Sequence, residues 1–181
     1  MKVSSIPVER RTVDLPDGVT VTVDDDEVTV DGPEGRTERT LPHPEIEITV
    51  EDDEVVVLAE QPTRPVAALV GTFAGHVRNM VKGAGEGFEA ELRVVSSHFP
   101  IKARVEGDQV VIDNFLGEKA ARRADILGDT DVEVSGEDVL VRGANKEHVG
   151  QTAVNIERAT DTSGYDPRVF QDGIYLIRKP S

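Results

Sequence analysis

The 181-residue sequence contains no cysteine and no tryptophan, and aromatic residues make up only 4% of it. Without cysteine there is no disulfide framework, no thiolate metal site and no thiol nucleophile. A core built from Val, Ile, Leu and Ala suits thin β-sheets better than a large ligand cavity. The start, MKVSSIPVERR, has no apolar signal-like segment, and no apolar run approaches the ~18 residues of a membrane span. These absences predict a soluble, cytoplasmic protein.

Basic residues are scarce as well, since 20 Lys and Arg oppose 35 Asp and Glu for a net charge of −15. The acidity is either an ordinary solvated surface or an adaptation to high intracellular salt, where screening lengths fall to about 3 Å at 1 M. Residues 14–31 and 45–60 each hold seven acidic residues and no basic one. Positive charge is concentrated instead in the second half of the chain, in a loop around residues 118–123 and in the tail at residues 165–181. This asymmetry is the main functional signal in the composition.

The clearest pattern is an internal repeat. Residues 23–35 read VDDDEVTVDGPEG, and residues 105–117 read VEGDQVVIDNFLG at a constant offset. Residues 50–57, VEDDEVVV, match residues 134–141, VSGEDVLV, at a slightly larger offset. Two successive matches in the same order predict a duplicated fold. The repeat stops before the basic residues that follow position 117.

Alternating apolar residues joined by acidic turns predict antiparallel hairpins in both halves. One helical stripe follows each set of hairpins: the first begins near Pro65 with Gly83 as its stop, and the second is capped by Asn145. The predicted fold class is therefore α+β, with two tandem copies of a small domain, each an antiparallel β-sheet packed against one α-helix.

The predicted domains are residues 1–82 and 83–181, joined by the glycine-rich stretch at 83–87. That stretch follows a helix and lacks the Lys-Ser/Thr of a phosphate-binding P-loop, so we interpret it as a linker. The polar start, residues 1–11, is expected to form an extended arm. The tail, residues 165–181, has no counterpart in the first half.

An enzyme would need a nucleophile, an acid–base pair or a metal cage. The four histidines have no ligand-type spacing and are interpreted as packing or surface residues: His43, His76, His98 and His148. The carboxylates cluster at hairpin turns, and the triple Asp at 24–26 lacks the calcium-loop pattern. The sequence therefore predicts no catalysis, no metal site and no cofactor.

The basic residues of the second half have two interpretations, as counter-ions to acidic neighbours or as contacts to phosphates. They lie on the loop and in the tail: Lys119, Arg122, Arg123, Arg168, Arg178 and Lys179. Phosphate contacts are favoured because both groups lie in the diverged half and have aromatic companions in sequence: Phe115, Tyr165, Phe170 and Tyr175. Basic and aromatic residues on loops of a rigid β-scaffold suit phosphate contacts with occasional base stacking.

Three segments resemble the family of large ribosomal subunit protein six (L-six, universal type) in its archaeal and eukaryotic form. They are GTFAGHVRNMVKGAGEGFE at 71–89, SHFP at 97–100 with NFLGEK at 114–119, and RVFQDGIYLIRK at 168–179. The acid-rich turns are similar to those of members from halophilic archaea, in agreement with the high-salt interpretation.

This resemblance implies a non-catalytic constituent of the large subunit that binds its ribosomal RNA near the sarcin–ricin loop and the stalk base. Neighbouring ribosomal proteins and the docking region of translational GTPases would lie close by. The second domain would face RNA, and the first, more acidic one would face solvent. By position, the implied contacts are Arg168, Gln171, Tyr175, Arg178 and Lys179; charge alone adds Lys119, Arg122 and Arg123. The alternative is an acidic duplicated β-module that binds protein partners through its strand edges and acidic turns.

Overall fold

The structure, a computed structural model, describes residues 7–181, so most of the expected arm at residues 1–6 lies outside the described residues. The chain divides into two units, Met1–Gly87 and Phe88–Ser181. Strands of the first unit are β1 (Val8–Asp14), β2 (Thr20–Asp24), β3 (Glu27–Gly32), β4 (Gly35–Thr40), β5 (Glu47–Glu51) and β6 (Glu54–Glu60). They form two antiparallel sheets, in the orders β2-β3-β4 and β1-β6-β5.

Helix α1 (Arg64–Glu86) completes the first unit and packs against β1 and β6 of one sheet and β3 and β4 of the other. Pro65 sits in its first turn, where a missing N–H costs nothing. Its buried stripe includes Val70, Phe73 and Val77 and meets the inward-facing valines of the sheets. The sequence predicted this stripe, although it expected one sheet where the unit has two.

The second unit repeats this plan. Its elements are β7 (Phe88–Val95), β8 (Lys102–Glu106), β9 (Gln109–Asp113), β10 (Arg122–Asp125), β11 (Asp131–Ser135), β12 (Asp138–Gly143), α2 (Lys146–Ala159) and β13 (Gly173–Arg178). The sheets are β10-β9-β8 and β11-β12-β7-β13, and α2 packs against β7, β10, β12 and β13. Strand β13, on the free edge of β7, has no equivalent among the described strands of the first unit. The predicted α+β duplication is confirmed.

The β3–β4 hairpin turns at residues 33–34, and the other four two-residue hairpins, two in each unit, share one kind of turn. The first turn residue has a left-handed backbone in each: Asp25 and Asp52 in the first unit, Gly107 and Gly136 in the second. Asp and Gly are residues that tolerate this conformation. The acidic turns of the sequence are therefore structural as well as solvated.

Residues 8–11 of the expected arm are extended but belong to a sheet, because β1 pairs antiparallel with β6 from Val8–Glu60 to Asp14–Glu54. The basic stretch around Arg122 is not wholly a loop, because β10 pairs with β9 there. Each is an edge strand in which one residue, Val13 or Ala124, is buried, so neither shows an alternating apolar pattern.

The expected helix stop at Gly83 and the linker at 83–87 were also wrong. Helix α1 continues to Glu86 and ends at Gly87, whose φ is 76° and whose N–H donates to Gly83 O at 2.9 Å. The helix continues because Gly83 and Ala84 are buried, and Ala84 O accepts the Glu34 N–H at 2.9 Å. The boundary between units therefore lies after Gly87, beyond the expected one after residue 82.

The close approach of β3 to the end of α1 can be tested at Gly32. A Cβ on Gly32 would lie 2.7 Å from the Ala84 carbonyl carbon, which leaves no room for a side chain. We expect Gly32→Ala to lower the free energy of unfolding by about 1–3 kcal/mol, because backbone has to move. Urea unfolding followed by circular dichroism measures it.

Gly71→Ala is the matched control. Gly71 is an exposed helical glycine, and a Cβ placed on it would meet no atom within 4 Å. The substitution should raise stability by about 0.5–1 kcal/mol, since Gly is entropically costly inside a helix. Equal stability of Gly32→Ala and the unmodified chain would contradict the described packing of the helix end.

Candidate nucleic-acid interface

Three loops meet at one end of the second unit: residues 96–101 after β7, 114–121 between β9 and β10, and 160–172 between α2 and β13. We call them together the loop end. The pairing of Gly173 with Val95 brings the start of β13 beside the end of β7. This pairing places the third loop against the first, and Arg122 then joins the second loop to the third.

Asp172 holds the first and third loops together. Its side chain has no exposed surface, its Oδ2 accepts the backbone N–H groups of His98 at 3.0 Å and Phe99 at 3.3 Å, and its Oδ1 lies 3.0 Å from His98 Nδ1. Burial acts to raise the pKa of Asp172, but the His98 side chain and the backbone N–H groups of residues 97–99 outweigh it and lower the pKa. The carboxylate therefore stays ionised inside the fold.

The second loop has a constrained backbone. Asn114, Leu116 and Gly117 have φ angles of 60°, 50° and 75°. A left-handed non-glycine residue costs on the order of 1–3 kcal/mol, so the surroundings must hold it. Asn114 Nδ2–H donates to Pro100 O at 3.1 Å, and the Phe115 ring is buried in the core of the unit. The loop is thereby fixed to its neighbour.

The guanidinium of Arg122 is bound by groups of the second unit itself. Its guanidinium lies 4.3 Å from the centre of the Phe115 ring and donates to both carboxylate oxygens of Glu118, at 2.6 and 2.9 Å. It also donates to the carbonyl oxygens of Ala159 and Asp161 at 3.0 Å each, which uses four of its five N–H donors. The hydrogen bond from Arg122 is the main reason that the pKa of Glu118 is lowered. For this residue the counter-ion interpretation fits the observed hydrogen bonds.

The other predicted contacts on the loops are more accessible. Lys119 is exposed and has no ion-pair partner within residues 7–181. The Arg168 side chain is 91% exposed, with one 3.4 Å contact to Asp166. Gln171 is exposed, and its backbone carbonyl oxygen accepts a hydrogen bond from the Tyr175 hydroxyl at 2.9 Å. The loop end thus gathers two accessible cations with a polar and an aromatic side chain.

Three predicted cations lie elsewhere. Arg123 lies on β10 against Glu106 at 3.8 Å and Gln109 at 3.2 Å. Arg178 and Lys179 lie at the far end of β13, roughly 17 Å from Gly173 at the usual strand rise. Arg178 is ion-paired with Glu89 and Glu91, while Lys179 is exposed. The predicted residues therefore do not form one continuous basic patch.

Sequence reasoning missed the part played by His98, Phe99 and Asp172. His98 was interpreted as a packing or surface histidine, and its ring does pack, with its centroid 5.3 Å from that of Phe170. Its link to Asp172 spans 74 positions in sequence, and nothing periodic connects them. The available signal was that both residues stand in short segments, SHFP and FQDG, that carry neither strand nor helix periodicity.

Residues 7–181 hold no group of three or more His, Asp or Glu placed to bind a metal ion. Over the same residues, no helix has the length and apolar character needed to cross a membrane.

The role of Asp172 predicts a pH dependence. We expect Asp172→Asn to lower the free energy of unfolding by about 1.5–3 kcal/mol at pH 7, because hydrogen bonds to a buried charge disappear. The folded pKa lies below the ordinary value of 3.8, so the stabilisation is complete above that pH and is lost as the pH falls through the folded pKa. Urea unfolding at pH 7 and at a series of acidic pH values below the ordinary pKa measures both effects.

The control is Asp138→Asn, which removes an exposed partner of Arg93 at 3.1 Å. Such surface pairs contribute about 0–1 kcal/mol. If the two variants lost equal stability at pH 7, or the Asp172→Asn deficit did not shrink in acid, the described role of the buried carboxylate would be wrong.

Comparison with known proteins identifies the family. The model of the family described as ribosomal protein L6 matches residues 15–87 and again residues 99–173, one match in each unit. The large ribosomal subunit protein uL6 of Methanosarcina mazei is 51% identical over 169 residues, covering 93% of this chain and 96% of the relative. The Halobacterium salinarum protein of the same name is 51% identical over 172 residues, covering 95% and 97%. The Archaeoglobus fulgidus protein is 48% identical over 177 residues, covering 95% and 90%. The chain belongs to the ribosomal protein L6 family.

Proposed function

We propose that the chain is a structural constituent of the large ribosomal subunit and binds large-subunit ribosomal RNA through its second unit. The contact lies near the sarcin–ricin loop and the stalk base, beside neighbouring ribosomal proteins and the docking region of translational GTPases. The observation that carries the proposal is the set of accessible cations on the second unit of an otherwise acidic chain: Lys119, Arg168 and Lys179. Phosphate binding rests on such side chains.

The family supports the non-catalytic part of this proposal. Its members are structural proteins of the ribosome, so the chain is not an enzyme and acts in the cytoplasmic ribosome. The first unit, with seven acidic and no basic residues in each of two stretches, repels phosphates and faces solvent in this arrangement.

Co-sedimentation is the direct test. The full chain, added to archaeal large subunits from which the endogenous protein has been removed, should be retained after a salt wash and should protect RNA near the sarcin–ricin loop in a footprint. A chain that washes off completely would favour the alternative function, an acidic β-module for protein partners. The open groove between β2 and β5, where Val21, Ile46 and Ile48 lie beside Asp25 and Glu47, is one surface for that role.

Charge reversal predicts which cations touch RNA. We expect Lys119→Glu with Arg168→Glu, and separately Lys179→Glu, to weaken binding of large-subunit RNA and to reduce the salt slope by about 1 for each phosphate that is no longer neutralised. Arg178→Glu should have a smaller direct effect than Lys179→Glu, because Arg178 already pairs with Glu89 and Glu91. Filter binding across a KCl series measures affinity and slope.

The control for charge reversal is Asp24→Asn with Asp25→Asn on the first unit, which should leave RNA binding nearly unchanged. Equal effects of the acidic and the basic changes would contradict the proposed polarity of the chain.

We also propose that the acidity is an adaptation to high salt. A net charge of −15 destabilises the folded chain by self-repulsion, and salt screens it. The thermal unfolding midpoint, followed by circular dichroism, should therefore rise by several degrees between low salt and about 1 M KCl, where the screening length is near 3 Å. Choline chloride at equal concentration serves as the ionic-strength control, and a midpoint that falls or stays constant in both salts would contradict this adaptation.

A further inference from the structure

The loop end exposes an unusual amount of apolar surface for an acidic chain. Within residues 7–181, eight large hydrophobic side chains are well exposed, and four of them lie on the loop end or the start of β13: Phe99 at 41%, Tyr165 at 47%, Val169 at 56% and Tyr175 at 43%. Three of these four are aromatic. Exposed apolar groups gathered at one place commonly mark a binding surface.

Two of the rings lie directly on glycine. A Cβ on Gly117 would come within 3.2 Å of the Phe99 ring, and a Cβ on Gly173 within 3.2 Å of the Tyr175 ring. The Tyr175 hydroxyl is also fixed by its 2.9 Å hydrogen bond to Gln171 O. Each ring therefore has one side covered by backbone and retains exposed surface, and its position is set before any ligand arrives.

The third ring belongs to a short aromatic series. Tyr165 meets Phe170 edge to face, with centroids 5.0 Å apart, and Phe170 in turn contacts the His98 ring. The His98 ring is in turn hydrogen-bonded to the buried Asp172 carboxylate, so the aromatic series is tied to the interior of the unit. About half of Tyr165 remains exposed at the outer end of the series.

We propose that Phe99, Tyr165 and Tyr175 form a stacking surface for unpaired nucleobases of RNA; this deepens the proposed function and rests on it. Base faces are hidden inside a duplex stack, so exposed aromatic rings suit bases splayed out of loops, bulges or ends. Lys119 and Arg168 supply positive charge on the same loops for the adjoining phosphates. A protein partner would also cover apolar rings, but the accessible cations Lys119 and Arg168 on these loops favour a polyanion. The exposed carboxylates of the loop end are Asp161 and Asp166, and Asp166 lies 3.4 Å from Arg168, whose side chain is 91% exposed.

Binding of deproteinised archaeal large-subunit RNA by the full chain tests the surface. Phe99→Ala, Tyr165→Ala and Tyr175→Ala should each weaken binding by roughly fivefold to a hundredfold, the range for loss of one base stack. The salt slope should stay unchanged, because no phosphate contact is removed. Tyr175→Phe keeps the ring and should lose less than Tyr175→Ala. Val105→Ala, at the same 41% exposure as Phe99 but on β8, should bind like the unmodified chain.

Tyrosine fluorescence gives a second, independent readout. The chain has two tyrosines and no tryptophan, so Tyr175→Phe leaves Tyr165 as its single emitter. A single-stranded oligoadenylate should quench that emission more strongly than an RNA duplex with the same number of phosphates. Circular dichroism of every variant confirms that it is folded before its affinity is compared.

The outcomes separate the two proposals. If the unmodified chain binds the RNA but the folded alanine variants bind equally well and Tyr165 is not quenched, the stacking surface is wrong and the RNA-binding function stands. Alanine variants that lower the salt slope as Lys119→Glu with Arg168→Glu does would also overturn stacking. If the unmodified chain binds neither RNA nor subunits, both proposals fall; a chain captured instead by ribosomal proteins alone would assign the rings to a protein partner.

Discussion

The buried carboxylate of Asp172 is the interaction on which the loop end depends. An ionised group without exposed surface is costly unless hydrogen bonds replace its water, and here N–H groups of residues 97–99 and the His98 ring do so. These donors come from the loop after β7, while Asp172 directly precedes β13. One charge therefore fixes where the tail strand begins, and with it the positions of Tyr175 and the loop that carries Arg168.

The tail strand is what distinguishes two otherwise similar units. In the first unit β1 forms the edge of its sheet, whereas in the second the equivalent edge of β7 is covered by β13. The added strand and its preceding loop extend the plan that the two units share, and β13 places Ile174 in the core of the second unit. New side chains could accumulate there, because the inward faces of the duplicated strands are committed to packing around α1 and α2. Tyr165, Arg168 and Tyr175 of the proposed RNA surface accordingly lie on this added segment, while Phe99 and Lys119 lie on loops within the duplicated fold.

The periodicity of apolar residues predicted the regular hairpins and helices of both units, but it did not predict the strands that lack a regular apolar pattern. The inward valines and the stripe of α1 alternate clearly, so the hairpins, helices and duplication were predictable. Strands β1 and β10 bury almost nothing, and β13 interrupts its alternation at Leu176-Ile177, where its register with β7 shifts. Within the site, the basic character of Lys119 and Arg168 was predictable from composition. The partners of Arg122 and Arg178 were not. The packing of α2 against β10 brings Ala159 to Arg122, and the pairing of β13 with β7 brings Glu89 to Arg178, in both cases from distant positions.

Net charge is a poor guide to such a surface, and so is the number of arginines. Arg122 begins β10 directly after the second loop of the loop end, yet its guanidinium is occupied by Glu118, two carbonyl groups and the Phe115 ring. The planar guanidinium of arginine can bind several acceptors at once where they converge. The hydrogen bonds of Arg122 therefore fix the backbone of the loop that carries the neighbouring Lys119. Arg122 is therefore not available to contact RNA, but by fixing the loop it places Lys119 more rigidly. Rigid placement reduces the ordering cost of binding.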